Sequence, residues 1–274
     1  ASCFRFKVAN IIKSLIGEQI TFSIIIDHQE DKPLLIGQYK VVSDELTADR
    51  RYRNITAYDA MHDIINTDMA AWYNSVLPQK TSTKTMKQFR ECFVRYFGLT
   101  EVVPDDGLIN DDMVVEKTIE PAELSGKDVI TAICEINGCF GCIGRDGKFH
   151  YVYLAQNIQG LYPANDLFPD HAPNYIPQHQ ETGHLYTQDP QSIKIGSGLY
   201  MKCQYEDYMV RQINKLQIRQ EENDIGAIWG EGDNCYIIED NFLVYGKKSS
   251  QLAIIAENIY RKITGIVYRP FECD

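Results

Sequence analysis

The sequence predicts an α+β, strand-rich fold. Apolar and polar residues alternate over residues 1–55 and again beyond 193, the period of a half-buried strand. Between these stretches the apolar period changes to three or four residues, that of an amphipathic helix. The 274 residues are 44% apolar and include 17 Tyr and 11 Phe, enough for a sizeable core.

The first strands are read from Phe4, Phe6 and Val8, then Ile20, Phe22, Ile24 and Ile26, then Leu35, Gly37, Tyr39 and Val41. Polar breaks separate them at Gly17-Glu18-Gln19 and His28–Pro33, and Arg51–Ile55 returns as one more strand after the charged run 44–51. Thr56 followed by Asp59 predicts a capping box. Met61, Ile64, Ile65, Met69, Trp72 and Val76 then trace one helix, ended by Pro78. A second helix is expected over about 84–97, with Met86, Phe89, Phe93, Tyr96 and Phe97 inward, Lys84, Lys87, Arg90 and Arg95 on its wet face and Gly98 as its stop. A third starts at Ser125 as N-cap, carries Val129, Ile133 and Ile136, and stops at Gly138.

Asp146-Gly147 predicts a two-residue type I′ hairpin over 140–154. That register pairs Cys142 with Tyr151, Phe140 with Tyr153, and Ile143 with His150. Residues 156–192 hold five prolines and few aliphatics, and are read as a long connection. Strands follow at Leu199–Tyr205, Ile213–Arg219, Cys235–Glu239 and Phe242–Tyr245, with Gly226, Gly230 and Gly232 as turns. A helix over about 250–264 and a strand from Ile266 complete the reading. The opening residues lack an initiator Met, and the stop at Asp274 is expected to cut a β-domain. The expected units are therefore 1–55, 56–155 (three helices and a hairpin), the connection 156–192, and 193–274.

Charge narrows the function classes. Asp+Glu number 38 against 27 Lys+Arg, a net charge of −11. A nucleic-acid-binding face needs clustered positive charge, and so does adhesion to anionic lipid. No apolar run approaches the ~20 residues of a spanning helix.

Motifs for chemistry are sparse. The eight cysteines (3, 92, 134, 139, 142, 203, 235 and 273) are mostly isolated, and buried free thiols behave as small hydrophobes. Cys139-Phe140-Gly141-Cys142 lacks the second ligand pair of a zinc site and follows a helix rather than opening one. His171, His179 and His184 stand eight and five residues apart in the Pro-rich connection, which matches no zinc spacing. Asp105-Asp106, Asp111-Asp112 and Glu221–Asp224 read as solvated turns, and Gly196-Ser197-Gly198 as a flexible one. No phosphate loop, nucleophile elbow or HExxH run occurs. Accordingly no catalytic, cofactor-binding or metal-binding residue is assigned, no cofactor is expected, and the chain is read as a non-enzyme.

Two stretches carry a family resemblance. Leu46-Thr47-Ala48-Asp49-Arg50-Arg51-Tyr52-Arg53-Asn54-Ile55-Thr56-Ala57-Tyr58-Asp59-Ala60 passes from strand to helix through an ITAYDA run. Ser125–Leu154 joins a short helix ending Asn137-Gly138 to the Arg145–Phe149 hairpin. Both resemble tail proteins of phages and prophages of Gram-positive bacteria, similar to the baseplate hub of contractile tails. The resemblance implies two small β-barrel-like domains with an α/β insertion. It implies a homotrimer that joins the tail tube to distal tail proteins and encloses a channel through which genome DNA slides without specific binding. The expected location is the virion tail, assembled in the bacterial cytoplasm, with no membrane insertion. An acidic wall suits such a channel, and acidity for solubility explains the same charge. Two other readings compete. A tail-borne cell-wall endopeptidase or glycosidase would require a pair such as Cys139 with His150. A carbohydrate-binding receptor module is favoured by aromatic content alone.

Overall fold

The computed structural model describes residues 1–9, 13–25, 33–153, 203–205, 211–264, 266 and 271–273. Over these residues the protein is mixed α+β and strand-rich. The predicted turns Gly196–Gly198, the three histidines of the 156–192 connection and most of the Leu199–Tyr205 strand lie outside them.

The N-terminal unit is an antiparallel sheet of β1 (Cys3–Ala9), β2 (Gln19–Ile24), β3 (Leu34–Leu46) and β4 (Tyr52–Tyr58), in the order β1-β4-β3-β2. The alternation read from the sequence sets its two faces. Strand β4 runs three residues past the expected end, because Thr56, Ala57 and Tyr58 are paired on both sides, with β1 and with β3. That pairing removes Thr56 as a helix cap. The N-cap of α1 (Ala60–Asn66) is Asp59, which accepts from Met61 N at 3.1 Å and from Ser2 N at 2.8 Å.

The single helix expected over 59–77 is two, α1 and α2 (Ala70–Val76). Periodicity persists through the break, but the backbone at 67–69 is claimed elsewhere. Met69 N donates to Leu124 O at 2.6 Å, and Gly126 N to Thr67 O at 2.9 Å. Helix α3 (Met86–Tyr96) begins with a capping box of Thr85 and Gln88, and α4 (Gly126–Asn137) with one of Ser125 and Asp128. Gly138 ends α4 at φ 60, the left-handed conformation glycine adopts without strain. Helix α5 (Ser249–Ile263) turns Leu252, Ile255 and Ile259 inward.

Short strands tie these helices together. β5 (Thr83–Thr85) pairs with β7 (Val114–Glu116), and β6 (Glu101–Val102) runs parallel to β9 (Phe149–Val152), which pairs with β8 (Phe140–Ile143). β11 (Lys215–Ile218) lies between β12 (Ala227–Gly230) and the parallel β13 (Cys235–Ile238). β10 (Cys203–Tyr205) pairs with β14 (Phe271–Cys273). Among the described residues one large core runs from Met61 to Ile259 and joins α1–α5 to β11–β13. The curled sheet has its own small cluster of Val41, Ile55 and Ala57.

Three more local expectations differ from the structure. The 140–152 hairpin is shifted by one residue: Phe140 faces Val152, Gly141 faces Tyr151, Cys142 faces His150 and Ile143 faces Phe149. A type I′ turn needs positive φ at both central residues, and Asp146 is not among the residues with positive φ. The chain instead turns over Gly144–Gly147, with Gly147 alone at φ 75, so one residue is absorbed as a bulge. Phe242–Tyr245 is a turn rather than a strand. Phe242, Leu243 and Val244 are buried in it, so an apolar run signalled burial and not extension. Strand β12 lies where Gly226, Gly230 and Gly232 predict only turns.

Candidate assembly interface

Strand β3 carries two extra residues relative to its neighbours, Ile36 against β2 and Val42 against β4. Bulges increase local twist and bend a sheet. The curl brings the two edge strands toward each other. The ring of Phe4 on β1 lies 3.8 Å, centroid to centroid, from that of Phe22 on β2, and Phe6 lies 5.0 Å from Phe22. Tyr39 of β3 closes the group at 5.6 Å from Phe4 and 5.9 Å from Phe22. Gly37 makes room for it: a Cβ there would sit 2.8 Å from the Tyr39 ring.

The curl is not closed. Among the described residues β1 and β2 are the two edges of the sheet and pair with nothing on their outer sides. Phe4, Phe6, Val8, Ile20, Phe22 and Tyr39 stay half-buried on the concave face. An edge strand with free N–H and C=O groups is a template for another strand. At one end of the sheet Ile24, Ile25 and Leu34 are 44–61% exposed, an apolar rim beside the open edge. At the other end Asp44, whose side chain is fully buried, accepts from Arg53 Nη1 at 2.9 Å and Leu15 N at 2.8 Å. These two donors hold its carboxyl below the usual carboxylate range, the Arg53 hydrogen bond contributing most.

The sheet is seated on the rest of the protein by the Lys40–Asp63 pair at 2.8 Å, beside a cleft of about 210 Å³. The hairpin tip at Gly147 comes so near Gln38 that an added Cβ would lie 2.5 Å from its Oε1. A second apolar surface lies on β11–β13. Ile228 and Ile237 flank Gln217 on the face that turns away from the core, and Ile225 precedes them, 74% exposed.

The candidate reactive residues fall as follows. Cys139 is buried at the end of α4, and its thiol approaches the Cys134 carbonyl at 3.8 Å; the pairing with His150 does not form. The residue across the ladder from His150 is Cys142. The His150 ring is engaged with Asp146 at 2.9 Å, and burial pushes the Cys142 thiol up, with the Asp59 charge adding to it. An activated thiol needs the opposite shift. Cys134 is pushed up too, first by its hydrogen bond with the Cys139 thiol. Among the described residues no group of three or more His, Cys, Asp or Glu side chains is placed to hold a metal ion.

Asp111, which the sequence predicts as a solvated turn residue, turns inward. Its carboxylate takes Arg90 Nε and Nη2, both at 2.8 Å. The Arg90 guanidinium, 1% exposed, also pairs with Glu101 and lies 5.5 Å from the Tyr151 ring. Arg90 sits on the predicted wet face of its helix, so only the tertiary fold reveals this cluster. Glu221 and Glu222 lie at the β11–β12 turn, where Asp224 accepts from Gly226 N at 2.9 Å.

No described helix is long and apolar enough to cross a membrane. No protein-family profile matches the chain, and no curated protein sequence does. Among solved structures it is similar to the 43 kDa tail protein of prophage MuSo2 from Shewanella oneidensis, with 12% identity and a TM-score of 0.47 over 99% of this chain and 72% of that one. It is also similar to the tail protein from Neisseria meningitidis MC58, with 10% identity and a TM-score of 0.48 over 93% of this chain and 70% of that one.

Proposed function

We propose that the chain is a structural subunit of a phage or prophage tail, placed at the baseplate hub or tail tip of a phage of a Gram-positive host. The reading has no turnover in it. The subunit joins the tail tube to distal tail proteins as a homotrimer, and the ring surrounds the path of the DNA. One observation carries it: a sheet curled by two bulges, lined with half-buried aromatics and left with both edges unpaired among the described residues. Such a sheet is stable enough to fold and incomplete enough to need a neighbour. The β10–β14 pair is, in this reading, the beginning of a second barrel. The sequence resemblance at 46–60 and 125–154 supports the same assignment, since it covers the junction of the curled sheet with α1 and the α4–hairpin unit. The excess of 38 acidic over 27 basic residues is proposed to line the channel, where negative walls do not trap phosphates.

The test is direct. Light scattering and negative-stain images of the chain should show threefold rings, and gold-labelled antibody should mark one end of purified tails. A chain that stays monomeric at its highest soluble concentration and labels no tail end overturns the reading. A hydrolase reading would need clearing of purified cell walls that Cys142→Ala abolishes.

A further inference from the structure

A cleft of about 320 Å³, lined by no residue of the curled sheet, opens where the last turns of α4 and α5 meet β13. Its apolar walls include Ile213, Ile259, Ile263, Ile266 and the Phe140 ring. One carboxylate stands in this lining, Glu135. It accepts from the Tyr236 hydroxyl at 3.2 Å and from Asn241 Nδ2 at 2.9 Å. Asn241 is itself fixed, donating to Ala132 O at 3.1 Å and accepting from Leu243 N at 3.1 Å. The carboxylate is thus aimed by neutral donors, and among the described residues it has no ion-pair partner. Burial pushes its carboxyl up, against the pull of Asn241 and Tyr236.

A second feature has the same sign. Cys134 and Glu135, in the last turn of α4, Gly138 and Cys139 just after it, and Ile259 and Ile263, in the final turns of α5, border the cleft. Helix C-termini present partial negative charge. The cations of the last turn of α5 are engaged elsewhere: Arg261 pairs with Glu257, and Lys262 lies 4.7 Å from the Tyr153 ring. The cation in the lining is Arg211, an exposed residue.

We propose that this cleft binds an organic cation on an apolar stem, its ammonium or guanidinium head on Glu135 and its hydrocarbon against the isoleucines. The volume sits at the lower end of small-ligand pockets, room for a stem of about six carbons. A neutral head forgoes the charge, and an anionic head meets Glu135 and two helix C-termini. A free amine and a lysine side chain of another protein share this chemistry. The site is independent of the assembly reading and stands or falls without it.

The experiment titrates the chain with n-hexylammonium, hexan-1-ol and hexanoate, read by calorimetry and by amide shifts of residues 134–140. Hexylammonium should bind saturably, hexanol at least about tenfold more weakly, about 1.4 kcal/mol, and hexanoate not measurably. Glu135→Gln should remove the preference for ammonium over alcohol. Arg211→Ala, at an exposed position that leaves folding unchanged, should tighten hexylammonium roughly two- to threefold by removing a like charge. Equal binding of alcohol and ammonium overturns the proposal, as does hexanoate binding best and losing affinity in Arg211→Ala. An acetylated Leu-Lys-Leu peptide that displaces hexylammonium supports a protein source of the cation. Failure to displace supports a free amine.

Discussion

Replacing Asp111 by Asn tests how the buried guanidinium is held. Asp111 supplies both acceptors for Arg90 Nε and Nη2, and its Oδ2 also accepts from Leu108 N at 3.0 Å. Asn keeps one acceptor and turns an NH₂ group toward the guanidinium. Arg90 stays charged in the variant, because a guanidinium does not lose its proton in a protein and Glu101 still faces it. Taking one partner from a buried pair costs about 3–5 kcal/mol. One retained bond places the expected loss near the lower bound, about 3 kcal/mol. Arg90→Met is expected to cost less. The carboxylates it strands are 14% and 16% exposed, so water and protons reach them. The triple variant Arg90→Met, Glu101→Gln, Asp111→Asn should then recover most of the loss, since a whole buried ion set is near neutral against apolar replacement. Urea unfolding read by Trp72, which packs on Phe89 and Phe93 either side of Arg90, measures all three. With a slope of roughly 2–3 kcal/mol per molar, Asp111→Asn moves the midpoint by about 1 M. A loss under about 1 kcal/mol for Asp111→Asn, or a triple variant equal to the sum of its singles, refutes the reasoning.

Gly126→Ala should unfold the junction of α1 and α4, because the added Cβ would lie 2.0 Å from the Ile64 carbonyl oxygen; a loss of about 3 kcal/mol or more in thermal melts is expected. Ser125→Ala removes the acceptor for Asp128 N and should cost about 1 kcal/mol in the same assay, several times less than its neighbour. Asp44 has a folded pKa below its ordinary 3.8, so its stabilisation is complete above that value and is lost as pH falls through the folded one. Amide exchange in β3 and β4 should therefore accelerate below pH 3.8, and Asp44→Asn should remove that acid dependence. Phe22→Ala, which removes the aromatic side chain shared by Phe4, Phe6 and Tyr39, should cost about 1–3 kcal/mol in urea unfolding and weaken the proposed threefold assembly in light scattering.

Much of the fold was legible because local rules and tertiary demands agree. Phe4, Phe6 and Val8 alternate and lie on one sheet face; Ser125 and Asp128 spell a capping box and form one. Errors cluster where a distant segment claims the backbone. Thr56 has the chemistry of a cap, but two strands pair with it before the helix can start. Met69 and Trp72 keep helical spacing across a break imposed by Leu124 and Gly126, which no window of residues 59–77 contains. At the 140–152 hairpin, Asp-Gly permitted two turns, and only the backbone conformation at Asp146 separated a type I′ pair from a type I turn with a bulge.

The candidate interface was harder to read than the sheet that forms it. Alternation places Phe22 and Tyr39 on the inner face, but it says nothing about whether that face will be filled. Closure depends on the twist added by the bulged residues Ile36 and Val42, and neither is Gly, Pro or Asn, the residues that announce irregular backbone. The same sequence pattern with straight registers would give a flat sheet whose Phe4 and Phe22 stand at opposite edges. With the bulges those rings meet, and the hydrogen-bonding edges of β1 and β2 are brought round until they flank an open seam. The approach of the two open edges is then a consequence of the curl, and the exposed Ile24, Ile25 and Leu34 lie beside them. A substitution that straightens β3 should expose the aromatics and separate the edges together, so loss of the cluster and loss of the proposed assembly are expected in the same variant.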